Sequence, residues 1–306
     1  MRVGVVGCGA VGTALSVALA MGGASVYAVS RKAKGCRRVR ASFKGFGEAD
    51  VTLCGWQEAP KDLDVLVIAT KAYDVADAVN AAISSRVSAR LAVSVQNGLG
   101  SLELIESAFP SAAGALIYFG SARTGECQAT YTGGRKVIIG CRLSCDRDAL
   151  AGFAEALRSG GLDVETVGPA EFEGHRWLKL AVNSAINPLT LITWSKNGAI
   201  VRDPALREAA SAIAEETWRV AKALNIAVPE DPVEATIRTA SETAENCSST
   251  VQDVAEGRRT ELEFINMAVW ERSTRLSFRA ALNLLAYLAA EAASRWQRGR
   301  RSPCEG

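Results

Sequence analysis

A lysine stands inside an otherwise mostly apolar helical run, Trp177-Leu178-Lys179-Leu180-Ala181-Val182-Asn183-Ser184-Ala185-Ile186-Asn187, and two asparagines follow it at intervals of four. Residues four apart on a helix share a face and lie roughly 6 Å apart along the axis. Lys179, Asn183 and Asn187 therefore form a polar stripe on a segment that otherwise favours burial. An ammonium withdrawn from water is costly, and its hold on the proton weakens. Such a group suits proton donation to an oxygen that is gaining negative charge, as a carbonyl oxygen does when hydride reaches its carbon. The only histidine, His175, lies four residues earlier on the same face and is the rival donor. The alternative for the asparagines is capping ahead of Pro188, a residue expected to interrupt the helix. That alternative weighs more on Asn187 than on Asn183.

A second polar group lies far along the chain, in Asn246-Cys247-Ser248-Ser249-Thr250, Gln252-Asp253 and Thr260-Glu261. Structurally, Ser248 or Ser249 would cap a short helix and Glu261 would be a first-turn acid. Functionally, Ser249 would bind a carboxylate, and Glu261 would accept from a substrate hydroxyl or pair with Lys179. Spacing leaves the two readings open.

A hydride donor has a candidate site near the start of the chain. Gly7-Cys8-Gly9-Ala10-Val11-Gly12 is a GxGxxG pattern placed after a strand-like run and before an alanine-rich helical stretch, the context in which it binds a dinucleotide. Gly7 allows the tight turn, Gly9 lets backbone approach a pyrophosphate, Gly12 allows close packing, and the helix start presents N–H groups to the anion. About 20 residues on, where an NAD site usually places an acid for the ribose diol, the chain has Val29-Ser30-Arg31-Lys32. Two cations and a hydroxyl suit a 2′-phosphate, so NADP(H) is the expected cofactor, with Arg31 also suited to stacking on adenine. Lys71 and Asn97 each follow a strand-like run, where ligands of open α/β sheets lie. Asn97-Gly98 also makes a good turn with no ligand.

The elements that must hold these residues alternate in the first half. Runs at 3–6, 25–29, 64–69, 91–95, 114–119, 137–140 and 163–167 read as strands, with helical segments at 12–21 and 146–159 between them. The pattern implies a mostly parallel sheet covered on both faces. After Gly168-Pro169 the periodicity is helical, over 171–187, 203–224, 232–245, 260–276 and 279–296. The expected fold is an α/β Rossmann-type N-terminal domain over residues 1–168 and an all-α C-terminal domain over 169–306.

With 306 residues, 48% hydrophobic and 22% charged, the chain suits two soluble globular domains. A net charge of +2 argues against a dedicated nucleic-acid binder, and the basic run Arg298-Gly299-Arg300-Arg301 reads as a solvated tail. No run of about 18 apolar residues suggests a membrane span, and no secretory leader is visible at Met1. A cytoplasmic location is expected. The eight cysteines show no CxxC pair or Cys/His metal spacing, so no metal site is expected. They read as small apolar fillers with an exposed thiol at Cys304, and bridges enter only for a hyperthermophile source.

Together these residues resemble the ketopantoate reductase (2-dehydropantoate 2-reductase) family from Met1 to about Trp296. The matching pieces are Gly7–Gly12, Ser30-Arg31, Thr70-Lys71, Gln96-Asn97-Gly98, Lys179 with Asn183 and Asn187-Pro188-Leu189-Thr190, Asn197-Gly198, Asn246 with Ser248-Ser249, Gln252-Asp253, and Thr260-Glu261 with Phe264-Ile265-Asn266. The resemblance implies an active site between a Rossmann domain and a helical domain, reducing 2-dehydropantoate to (R)-pantoate with NADPH on the way to pantothenate and coenzyme A. It implies Lys179 as general acid, Glu261 assisting by contacting substrate, and Asn183, Asn187, Asn197 and Ser249 as substrate-binding residues. It implies that Gly7, Cys8, Gly9, Ala10, Val11 and Gly12 with Arg31 and Lys71 serve the cofactor, that Asn97 lies in the cofactor and substrate cleft, and that the chain forms a homodimer. The chain departs from the family near its end, where Ala281-Leu282-Asn283 replaces a Pro-Asn element. The alternatives are another 2-oxo acid reductase, a 3-hydroxy acid dehydrogenase, which also carries a lysine and an asparagine four apart, and a non-catalytic NADP sensor, which has no use for Lys179 or Glu261.

Overall fold

β-Branched runs that alternate with alanine-rich stretches build the first of two compact units in the computed structural model, which describes residues 1–304. This unit comprises Met1–Gln96 and Ser101–Phe172, and the second comprises Asn97–Gly100 and Glu173–Gly306. In chain order the first unit contains β1 (Arg2–Val6), α1 (Ala10–Met21), β2 (Ser25–Val29), β3 (Cys36–Lys44), β4 (Gly47–Cys54), β5 (Asp62–Ile68), α2 (Val75–Ser84) and β6 (Ser88–Ser94). Then come α3 (Ser101–Ala108), β7 (Ala112–Ile117), β8 (Gly120–Gly125), β9 (Gln128–Gly133), β10 (Lys136–Gly140), α4 (Arg147–Ser159) and β11 (Asp163–Val167). The strands form one mixed sheet in the order β11-β10-β7-β6-β5-β1-β2-β4-β3-β9-β8. Its core is parallel: β2, β1, β5, β6 and β7 run the same way.

Strand alternation sorts the apolar residues to two faces. Val3 and Val5 of β1 pack with Leu15 and Leu19 of α1 and Phe153 of α4. Val6, on the other face, packs with Val79 of α2 and Ile105 of α3. The parallel strands and both flanking helix layers were expected, but β3, β4, β8 and β9 were not. In β3 the apolar residues Ala41 and Phe43 are buried, but Arg37, Arg38 and Arg40 dominate its sequence. β8 and β9 are short, rich in glycine and threonine, and only partly covered.

The eight cysteines form four bridges: Cys8–Cys127, Cys36–Cys54, Cys141–Cys145 and Cys247–Cys304. The expectation of apolar fillers with a free thiol at Cys304 is therefore corrected. In the chain-entropy view, the 119-residue span closed by Cys8–Cys127 restricts the unfolded state by about 4–5 kcal/mol.

The second unit is helical. α5 (Pro169–Thr193) begins in the first unit, where Phe172 fills space left by Gly114 and Gly140, and continues into the second. It is followed by α6 (Ala199–Arg202), α7 (Pro204–Ala223), α8 (Pro232–Glu242), α9 (Ser249–Ala255), a π-helical turn (Glu263–Met267), α10 (Ala268–Ser273) and α11 (Ala281–Gln297).

Pro188 does not end α5, which corrects the expected interruption. A proline within a helix leaves the carbonyl four residues earlier without its N–H partner. That carbonyl belongs to Ser184, and Asn266 Nδ2 donates to it at 2.8 Å from the π-helical turn. The helix therefore continues because a residue from another element satisfies the exposed acceptor.

A similar substitution secures α11. Ala280, at its N-cap, has no side chain able to cap. The buried Glu216 carboxylate of α7 accepts instead from the N–H groups of Leu282 and Asn283 at 3.0 and 2.8 Å, and from Asn283 Nδ2 at 2.9 Å. The last helix is thus held without the family's proline. Among the described residues, no helix is long and apolar enough to cross a membrane.

Candidate active site

Three neighbouring parallel strands, β5-β1-β2, bring their carboxyl ends to one edge of the first unit. Gly7–Gly12 follows β1, Arg31 follows β2 and Lys71 follows β5, so the topology gathers all three there. The backbone joins them: Gly7 N donates to Val29 O at 3.0 Å, and Ala69 N to Val6 O at 2.8 Å.

The three glycines are needed for different reasons. Gly7 has φ +99°, a region favouring glycine. A methyl group on Gly12 would overlap the Gly7 carbonyl. Gly9 is extended, at φ −82°, and a methyl group there would meet no protein atom within 4 Å. Neither conformation nor packing within the chain requires glycine at position 9, and the open space there suits close approach by a ligand. Gly9 also makes no side-chain cap, and the first turn of α1 holds no acid. Its N–H groups therefore suit an anion. These features fit a dinucleotide pyrophosphate.

Arg31 is largely exposed, with its guanidinium 3.6 Å from Asp74 and 3.9 Å from Asp77. Lys71 precedes the tight turn Ala72–Asp74. Gln96, singled out in the sequence only as part of a motif, has a positioning role. Its Nε2 donates to Ile68 O at 2.7 Å and Thr70 O at 2.9 Å, tying the end of β6 to that of β5. Beside it, Thr70 Oγ1 is buried without a hydrogen-bond partner.

The second unit holds the proposed acid–base residues. Lys179, Asn183 and Asn187 all lie on α5. Burial pushes the Lys179 ammonium down from 10.5 to about 8, while the negative charge of Glu261 opposes that shift. The structure thus brings this lysine under the influence of an acid 82 residues away. Continuation of α5 past Pro188 removes the capping reading of Asn187. That side chain is 4% exposed, and its Nδ2 has no hydrogen-bond partner.

Thr190 continues the same helix, and its Oγ1 lies 2.8 Å from Ser248 Oγ. Ser248 caps α9 by accepting from Val251 N at 3.3 Å. The cap thus belongs to Ser248, and Ser249 follows as the first residue of the helix. Asn197 is fixed by its backbone N–H to Asn246 O and by Nδ2 to Thr243 Oγ1, both at 2.9 Å. Its Oδ1 is buried and unbonded.

Asn97 belongs to the short segment that groups with the second unit. Two residues on, Leu99 N donates to Phe264 O of the π-helical turn at 2.8 Å. Gly98 has φ +84°, and a methyl group there would overlap that carbonyl. The glycine in Gln96-Asn97-Gly98 is therefore required by a turn and by a close approach. Asn266 and Phe264 gave no catalytic signal in the sequence because they act by filling backbone hydrogen bonds. Among the described residues, no group of three His, Cys, Asp or Glu side chains could hold a metal ion.

Residues 3–143 match the model of the ketopantoate reductase PanE/ApbA family, and residues 171–293 match its C-terminal domain, ketopantoate reductase PanE/ApbA C terminal. The chain belongs to the ketopantoate reductase family. It is 35% identical to a 2-dehydropantoate 2-reductase of Pyrobaculum aerophilum, over 87% of this chain and 88% of that protein. Its fold is similar to that of a PanE/ApbA family ketopantoate reductase from Ralstonia eutropha JMP134, with TM-score 0.81, 25% identity, and coverage of 97% of this chain and 99% of the other. A dimeric ketopantoate reductase from Staphylococcus aureus shares the fold at TM-score 0.77 and 19% identity, over 97% and 100% of the two chains.

Proposed function

We propose that this chain reduces 2-dehydropantoate to (R)-pantoate with NADPH, the reductive step toward pantothenate and coenzyme A. The observation that carries this reading is Lys179, a desolvated ammonium held near a pKa of about 8 with Glu261 as its electrostatic neighbour, in a chain of the ketopantoate reductase family. When bound, NADPH supplies a hydride to the C2 carbonyl carbon of the substrate.

Lys179 donates a proton to the C2 oxygen as negative charge develops there, and recovers it from solvent afterwards. Glu261 favours the charged form of Lys179 and accepts from a substrate hydroxyl. Asn183 and Asn187 line the polar face of α5, where the unbonded Nδ2 of Asn187 suits a substrate acceptor. The unbonded Oδ1 of Asn197 suits a hydroxyl donor, and Ser249 binds the carboxylate. Gly7–Gly12 cradles the pyrophosphate, Arg31 and Lys71 receive the 2′-phosphate end, and Asn97 serves the nicotinamide end. Residues 1–168 act as the cofactor domain and 169–306 as the substrate domain.

A cytoplasmic location accompanies this reading, because NADPH is available there. So does a homodimer, supported by an unusual exposed face of α11 on which Leu282, Leu285, Leu288 and Trp296 are 41%, 64%, 54% and 83% exposed. Leu282, Leu285, Ala289, Ala292 and Trp296 follow alternating intervals of three and four, the spacing of a helix-pairing seam. Light scattering on the wild type and Leu285→Glu tests this, and a monomeric wild type overturns the dimer.

The assay for the reaction is NADPH oxidation with 2-dehydropantoate against a panel of 2-oxo and 3-oxo acids. The expected result is preferred use of 2-dehydropantoate. Better use of another 2-oxo acid, or of a 3-oxo acid, reassigns the substrate. No turnover at all favours a sensor.

A further inference from the structure

Cys8 is the second residue of the glycine-rich loop, and its bridge leads to a turn 119 residues away. Cys127 and Glu126 are the two residues between β8 and β9. Cys127 has φ +52°, a left-handed conformation that glycine or asparagine adopts more readily, and its side chain is 1% exposed. A costly backbone conformation held by a buried side chain points to a local requirement. Here the hairpin turn sets the conformation, and the buried bond to Cys8 accounts for a cysteine where glycine or asparagine fits more readily.

The far end of this bridge is anchored to the sheet. Ser42 N donates to Cys127 O at 3.1 Å. β9 pairs with β3 from Ser42↔Gln128 onward, and Arg37 of β3 meets Glu126 at 2.8 Å. The near end is the most glycine-rich part of the first unit, with glycine at three of six positions between Gly7 and Gly12. Glycine loses more conformational freedom on ordering than any other residue. A ligand that binds a loop already ordered avoids that cost.

We propose that the Cys8–Cys127 bridge positions the dinucleotide loop, so that NADPH binds more tightly with the bridge closed than with two thiols. Cys127 is then a positioning residue for the cofactor although it lies outside the glycine motif. The inference rests on the reading of Gly7–Gly12 as the pyrophosphate loop. By linkage, bound NADPH makes the bridge harder to open by the same factor. Opening by a dithiol moves two electrons and two protons to the sulfurs: the S–S bond becomes two thiols, and the dithiol closes to a cyclic disulfide.

The test titrates NADPH by its fluorescence against oxidised wild type, wild type reduced with dithiothreitol, Cys127→Ala, and Cys141→Ala/Cys145→Ala, which removes another bridge of the same unit. The dissociation constant should rise about 5- to 20-fold in the reduced protein and in Cys127→Ala, in the lower range of couplings between sites. It should stay within twofold in the Cys141/Cys145 variant. NADPH should raise the dithiothreitol needed to open half the Cys8–Cys127 bridges by the same factor, read by alkylation and peptide mass. Cys127→Ser, close in volume to the native residue, replaces the alanine variant if that variant does not fold. Gly9→Ala separates the two readings. If it binds NADPH like wild type, the loop assignment fails. If it loses NADPH while reduced wild type and Cys127→Ala bind as tightly as the oxidised protein, the positioning role alone is overturned. An equal loss in the Cys141/Cys145 variant also overturns it, since bridge removal in general would then be responsible.

Discussion

Around Gly9 the chain offers backbone N–H groups and open space, whereas around Lys179 it offers a desolvated charge on a helix lined with amides. The first arrangement depends on what is missing from the side chains and the second on what is present. A substitution that adds atoms should harm the first, and one that removes atoms should harm the second. Each region should also fail in its own measurement, the cofactor dissociation constant for one and turnover for the other.

Lys179→Ala should show the largest effect: kcat reduced by about 10²- to 10⁴-fold, the usual worth of a positioned acid, with NADPH affinity unchanged. Steady-state rates beside a direct NADPH titration check this, and robust turnover would remove Lys179 as the proton donor. Gly9→Ala should do the reverse, weakening NADPH binding by roughly 10- to 100-fold, the 1–3 kcal/mol of an overpacked contact, while the melting temperature holds. A lost melting transition instead would make the openness at position 9 a structural need.

The pH dependence sharpens the second half of the comparison. With Lys179 lowered from 10.5 to about 8, the acid form is lost as pH rises through about 8, so log kcat/KM should be level below that point and fall above it. Stability should respond with the opposite sign. Between about 8 and 10.5 the unfolded chain holds more protons than the native one, so the fold gains stability as pH rises through that window. A rate profile flat to pH 10 would contradict the assignment.

Arg31→Ala should raise the KM for NADPH about tenfold, near the 1.4 kcal/mol of one lost charge-assisted contact, and leave that for NADH alone. Equal losses with both cofactors would deny Arg31 a role at the 2′-phosphate. The smallest effect on activity should follow Asn266→Ala, which leaves the Ser184 carbonyl unsatisfied and should instead cost about 1–3 kcal/mol of stability, read by denaturant unfolding.

Legibility in the sequence divides along similar lines. The central strands were readable because buried parallel strands are continuous apolar runs, as in Val65-Leu66-Val67-Ile68 of β5. Strand β3, between β4 and β9, was not, because its exposed face carries arginines. Gly7–Gly12 and Lys179 were visible because both break the local composition. The uses of Gln96, Asn266 and Glu216 were hidden, since each completes backbone hydrogen bonds of a segment distant in sequence. The bridge at Cys8 was hidden for a related reason: eight scattered cysteines do not encode their pairing.

Pro188 and Asn266 should behave as one inherited trait. The amide at 266 is valuable only because position 188 has no N–H to give Ser184. In a relative with alanine at 188, the helix would supply that hydrogen bond itself, and position 266 would be free to drift toward other side chains. The penalty for losing Asn266 should correspondingly shrink in a Pro188→Ala background, because the amide answers a need that the proline creates.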